Sequence, residues 1–453
     1  MRIHLYVLMA AVLLVLGTGP AAAIVAADDG SGTGSTESDL AGLELERLNT
    51  IIRALDVLQA KGDIKGMIDL YRKGLLLSPS DVSARERYAA IGLNLIGYAL
   101  GGKGDPAQVL ELLDEFEKYV GEEFELPSAL WWLRAAALRR LGKTDEAAAS
   151  QQKAIDYRPD DPDYHRQVGN FLLRSALYDE AIAEFAAALA RVDDAWYKAL
   201  FTHSIAAAYL MTEQYAKAAD EYEKAVAIYR EGQFPRTYVG LIEDACIAMY
   251  NLGRESEVRG KYAETVAANE RALKLLPEPL DEELGEAATM SLTAIADASL
   301  KLDKPKEALE YAERAKERAP TAPSVYSTLG DAHAALGNKD DAEAAYAECE
   351  RLYREMIDAN PDRAMGYNNL AWFYVTHDRE LDEALKLARK AVELAPDTDA
   401  YIDTLGEIYF RQGDYDKAVE TITKVFELDP KPRHILYFEQ QRDKFTKAQK
   451  RGH

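Results

Sequence analysis

Between about Leu48 and Lys431, apolar residues recur every three or four positions in helix-length runs separated by short polar turns, as amphipathic helices require. No run in that span alternates with period two, and no Asn-Gly or Asp-Gly pair marks a hairpin, so strands are not expected. The plainest unit is residues 400–430, AYIDTLGEIYFRQGDYDKAVETITKVFELDP. It reads as a helix, a turn at Gly413-Asp414, a second helix, and a stop at Asp429-Pro430. The pattern predicts an all-α chain of helix pairs.

Sliding that unit backward with a period of about 34 residues gives windows at 48–81, 90–123, 128–161, 162–195, 199–232, 246–279, 289–322, 323–361, 364–398 and 399–432. Position 8, where the paired helices cross, must be small. It carries Leu55, Gly97, Ala135, Gly169, Ala206, Gly253, Ala296, Gly330, Ala371 and Gly406. Position 20 is Ala at Ala147, Ala181, Ala218, Ala308, Ala342, Ala384 and Ala418. Position 32 is a helix-stopping proline at Pro79, Pro159, Pro277, Pro320, Pro396 and Pro430. Small residues let helix axes approach, and larger ones fill the ridges between them. This combination resembles the tetratricopeptide repeat family. The resemblance implies an α-solenoid, a right-handed superhelix of about ten helix-turn-helix repeats closed by a C-terminal capping helix.

The departures set the domain map. Residues 48–127 hold two degenerate repeats, with Leu55, Met67, Val109 and Phe116 where small residues belong; the regular solenoid is 128–432. The second helix of 323–361 should run about seven residues long, and 233–245 and 280–288 are insertions that lengthen helices or form loops. Residues 433–453 begin amphipathic and end polar, as a cap needs. At the other end, Arg2, the apolar run Ile3–Leu16, breakers Gly17, Gly19 and Pro20, and Ala21-Ala22-Ala23 form an export-signal layout. Residues 1–23 are therefore expected to be removed after Ala23, leaving 24–47 as a flexible linker. The rival is an uncleaved anchor, because Ile3–Ala27 carries no Asp, Glu, Lys or Arg. The expected setting is periplasmic or secreted, or the inner membrane if the anchor stays.

Charge narrows the partners. The net charge is -23, which repels nucleic acid and anionic lipid heads. Only the end is basic: Lys431–His453 holds seven Lys/Arg against Glu439 and Asp443, which allows self-association between a basic tail and a neighbour's acidic body. Cys246 and Cys349 read as small buried side chains.

No motif points to catalysis, metal or cofactor. The seven histidines lack HExxH spacing, no GxSxG elbow exists, and Gly97-x4-Gly102-Lys103-Gly104 lacks the Ser/Thr and the preceding strand of a phosphate loop. A divergent active site within 82–127 is the remote alternative. The resemblance places partner contacts on the concave face, on the first helix of each repeat. The groove candidates are Trp132, then Arg166, Asn170 and Arg174, then Asn368, Asn369 and Trp372. Asp297, Asp331, Asp403 and Glu407 lie at equivalent positions, and Arg139 and Arg140 just after Trp132. Arg166 and Asn170 resemble half of the family's carboxylate clamp, but Ser204, Ile247 and Asn251 do not complete it. The expected role is a protein-interaction scaffold or assembly factor of the cell envelope that binds a protein or peptide segment; a membrane-tethered part of a polysaccharide-export or secretion machine is the alternative.

Overall fold

The computed structural model describes residues 37–452, except for 77–81, 103, 121–126, 158–159, 233–237, 278–281 and 430–433. The export-signal layout, Ala23, Pro79, Pro159 and Pro430 lie outside the described residues.

The described residues form α-helices and one short 3-10 turn, with no strand among them. They divide into two compact units, one ending at Pro235 and one beginning at Arg236. The first unit holds five helix pairs: α1 (Glu37–Ala60) with α2 (Ile64–Leu75), α3 (Val82–Gly101) with α4 (Pro106–Val120), α5 (Pro127–Arg140) with α6 (Thr144–Asp156), α7 (Pro162–Arg174) with α8 (Tyr178–Leu189), and α9 (Ala195–Met211) with α10 (Tyr215–Gly232). The second holds five more: α11 (Tyr238–Val258) with α12 (Tyr262–Leu275), α13 (Gly285–Lys301) with α14 (Pro305–Arg318), α15 (Pro323–Ala335) with α16 (Lys339–Ala359), α17 (Ala364–Thr376) with α18 (Leu381–Leu394), and α19 (Asp399–Arg411) with α20 (Tyr415–Leu428). A last helix, α21 (Ile435–Gly452), packs on α20 as the cap. Within each unit the two helices of a pair pack on each other and successive pairs stack, which is solenoid stacking.

Local chemistry explains the helix ends. Asp161 caps α7 by accepting from the amides of Asp163 and Tyr164, with Pro162 in the first turn; Asp194 caps α9 through Trp196 and Tyr197. The turn between paired helices has one recurring feature. Position 15 takes a left-handed backbone in nine windows, at Gly62, Gly142, Ala176, Glu213, Gly260, Asp303, Gly337, Asp378 and Gly413. Five of these are glycine, for which that conformation carries no Cβ penalty.

What meets the position-8 glycine differs from crossing to crossing. At Gly169 and Gly330 the room is filled by the ring at position 24: an added Cβ would lie 2.4 Å from Phe185 and 2.2 Å from Tyr346. The glycine is therefore a socket for an aromatic of the partner helix. At Gly406 the nearest atom, 3.2 Å from such a Cβ, belongs to Phe445 of the cap.

The departures resolve physically. Helix α1 begins at Glu37, so the stretch read as linker to residue 47 is helical over its last part. The two degenerate repeats are held by a tyrosine pair. Tyr71 and Tyr88 stack at 4.4 Å and each hydroxyl donates to the other's carbonyl, at 2.9 and 2.8 Å. Gly74 and Gly92 leave space for those two hydroxyls. Helix α16 has 21 residues against 14 in α14, α18 and α20, the extension expected. Both insertions lead into lengthened first helices, α11 and α13, the latter through the turn Glu282–Leu284.

Candidate functional site

The inner face of each stack is read at positions 5 and 9 of the first helices. In the unit ending at Pro235 this face is filled. An added Cβ would lie 1.9 Å from the Ser175 carbonyl oxygen at Gly101, and 2.2 Å from Ser175 Oγ at Gly97. Helix α3 thus presses on the end of α7. The inner positions of α5, which precedes α7 in the stack, are sealed: Trp132 is 0% exposed and Ala136 3%.

Trp132 therefore lines no groove, contrary to the expectation from its position. Its Nε1–H donates to Glu184 Oε2, whose other oxygen lies 2.6 Å from His165 Nδ1. Tryptophan tolerates such burial because its single polar atom is satisfied. Asn170 is also buried, its Oδ1 without a hydrogen-bond partner. Arg139 pairs with Glu180, and Arg166 pairs along its own helix with Asp163 at 3.0 Å. Arg174 remains exposed, and desolvation by the surrounding protein lowers its pKa. The Arg166/Asn170 pair does not present a joint site, because Asn170 is covered.

The unit beginning at Arg236 keeps its inner face open. Trp372 is 39% exposed on α17, and Asn369 is half-buried beside it. Asn368 is buried with its Oδ1 unpartnered, while its Nδ2 lies 3.4 Å from Asn369 Oδ1. On α13, Asp297 is exposed to water, yet its carboxyl is pushed up to about 7. The protein mass around it desolvates the charge, and Asp331 of α15 adds repulsion; a hydrogen bond from Thr328 opposes both. Exposure combined with crowding is what a groove wall produces.

Asp331 is tied more firmly. Its Oδ1 accepts from Tyr346 Oη at 2.7 Å and lies 2.9 Å from His377 Nε2, while His377 Nδ1 lies 2.7 Å from the Phe373 carbonyl. Both ring nitrogens face acceptors, so this geometry calls for the doubly protonated imidazolium. Burial lowers the His377 pKa, but the hydrogen bond and charge of Asp331 and the Phe373 carbonyl outweigh it, and the net shift is upward. Asp403 and Glu407, the counterparts of Asn368 and Trp372 one repeat on, are not open: Tyr437 and Gln441 donate to Asp403, and Lys444 and Arg411 pair with Glu407. The cap covers them.

Two features escaped the sequence reading. The Asp331–Tyr346–His377 cluster joins residues of two helices and the C-cap of a third and has no linear spacing that announces it. An apolar cleft of about 650 Å³ opens among α8, α9 and α10, lined by Ile182, Leu189, Ile205, Tyr209 and Ile228, and such a gap depends on how far helices splay. Among the described residues no group of three or more His, Cys, Asp or Glu is placed to hold a metal ion, and both cysteines are free and buried.

Three family models, each described as tetratricopeptide repeat, match residues 94–164, 133–195 and 293–353, residues 363–395, and residues 400–432, together half of the chain. The chain belongs to the tetratricopeptide repeat family. It is 26% identical over 271 residues to Hsp70-Hsp90 organizing protein 2 of Arabidopsis thaliana, covering 60% of this chain and 42% of that one. It is 28% identical over 83 residues to the human mitochondrial import receptor subunit TOM70, covering 18% and 14%. The chain thus spans less than half the length of these curated relatives. Among solved structures, a thermophilic tetratricopeptide protein of Thermus thermophilus aligns at 24% identity and TM-score 0.32, over 45% of this chain and 98% of its own. Yeast Tom70 aligns at 15% identity and TM-score 0.32, over 92% and 97%. This tetratricopeptide chain is a repeat scaffold.

Proposed function

We propose that the chain is a non-enzymatic scaffold of the cell envelope that holds an extended segment of a partner protein along the inner face of residues 236–453. The observation that carries this reading is the accessibility of Trp372 and Asn369 on a crowded, polar inner face, where an aromatic anchor beside amide groups suits peptide capture. The relatives, by their names an organizing protein for two chaperones and an import receptor subunit, are consistent with a protein partner. The cell-envelope setting rests on the residues 1–23 layout alone. No helix of the described residues is long and apolar enough to cross a membrane, so a tethered form would depend on that N-terminal segment.

The test is site-specific photo-cross-linking in living cells from position 369, with position 306 on α14 as the control. A discrete protein adduct from 369 and none from 306 is expected. Equal labelling from both, or none from 369, would remove the reading.

A further inference from the structure

The open inner face has a chemical bias that narrows its ligand. Position 9 on successive first helices carries Asp297, Asp331 and Trp372. Helix α13 packs on α15, and packed helices lie about 8–10 Å apart, so Asp297 and Asp331 recur at about that interval, while His377 at the end of α17 reaches Asp331 at 2.9 Å. An extended chain spans the helix interval in about three residues.

Asp297 makes no ion pair among the described residues. The cation whose charge acts on it, Arg254, pairs with Glu257 at 3.0 Å. Asp331 is balanced by His377, which leaves Asp297 as a carboxylate without a directly paired cation. A second observation is independent of charge. Asn368 is only 8% exposed, on the helix face that carries Trp372 one turn later, and its side-chain oxygen has no donor. A buried amide with an unfilled acceptor is costly unless something donates to it, and a bound peptide N–H is such a donor.

We propose that this face takes a cationic, extended partner segment, with a lysine or arginine seated between Asp297 and Asp331, main-chain amides at Asn368 and Asn369, and an apolar side chain on Trp372. The proposal rests on the scaffold reading and adds the partner's charge to it. A carboxylate-rich segment would meet Asp297 and be repelled. A basic one supplies the missing counter-charge in a crowded site, where a charge-assisted hydrogen bond is stronger than on an open surface.

Full-length protein is titrated with three fluorescent peptides of equal length, built on one Gly-Ser-Leu background and carrying Lys, Gln or Glu at every third position. Fluorescence anisotropy is read at physiological salt, where distant charges are screened. The Lys peptide is expected to bind at least about tenfold more tightly than the other two, and Asp297→Asn to remove about tenfold of that affinity. Trp372→Ala should weaken all binding severalfold. Glu348→Gln, on the second helix α16, should leave it unchanged. Circular dichroism confirms that each variant is folded. Equal losses from Asp297→Asn and Glu348→Gln would mean general attraction to an acidic chain and would overturn the proposal. So would an unaffected Asp297→Asn variant, or preference for the Glu peptide. If position 369 still captures a cellular partner in those cases, the scaffold reading stands and only the charge assignment falls.

Discussion

Two tryptophans at neighbouring inner positions of their repeats, Trp132 at position 5 and Trp372 at position 9, meet opposite fates. Trp132 is fully buried and hydrogen-bonded to Glu184, whereas Trp372 stands 39% exposed. The difference lies in neighbours far along the chain. Gly97 and Gly101 let α3 close against Ser175, and Glu184 of α8 takes the indole N–H of Trp132, in a unit where Trp132 and Ala136 are both buried. Among the described residues of the second unit, the cap covers the inner positions of α19, but Trp372 on α17 and Asp297 on α13 remain exposed. An inner repeat position thus turns a side chain toward the inner face, and stacking decides whether that direction ends in core, as at Trp132 and Asn368, or in water, as at Trp372.

The comparison breaks most readily at the tryptophans themselves. Trp132→Ala should cost about 3–5 kcal/mol in denaturant unfolding, since it empties a packed site and leaves Glu184 Oε2 without its donor. Trp372→Ala should change stability by within about 0.5 kcal/mol. Equal effects would collapse the distinction. Next in size is Gly330→Ala, whose Cβ would meet the Tyr346 ring at 2.2 Å. A cost of about 1–3 kcal/mol is expected, with weakened peptide binding because Tyr346 also holds Asp331.

Asp297 sharpens the comparison through pH. Its folded carboxyl, near 7, lies above the 3.8 usual for an unfolded aspartate, so the folded state binds more protons between those limits. Its ionisation therefore lowers stability as pH rises through that window, and the penalty is complete above pH 7. Asp297→Asn should stabilise at pH 8 by about 1 kcal/mol after allowance for solvent screening, with the gain vanishing near pH 4. Thermal melts across that range check it. The smallest effect is expected at the turns: Asp303→Gly should gain about 0.5 kcal/mol, because Asp303 holds a left-handed backbone at φ 59°.

The fold was legible because it is local and periodic. Small residues at positions 8 and 20, prolines at position 32 and a turn at 413–414 are short-range requirements, each repeated in other windows. Even the long α16 followed from spacing alone. The site was half legible. Asn369 and Trp372 came from repeat position and lie on the open face, but Trp132 and Asn170 came from the same rule and are covered. No local pattern records that α3 reaches α7, or that Tyr437, Gln441 and Lys444 occupy Asp403 and Glu407. The cluster of Asp331, Tyr346 and His377 was missed for the same reason, since its members meet only after three helices stack.

The contrast between the two inner faces is tested most directly by hydroxyl-radical footprinting of the intact protein, with tryptophan oxidation read by mass spectrometry. Trp372 should be oxidised many times faster than Trp132, and a bound Lys peptide should protect Trp372 while leaving Trp132 unchanged. Comparable oxidation of the two in the free protein would contradict the account.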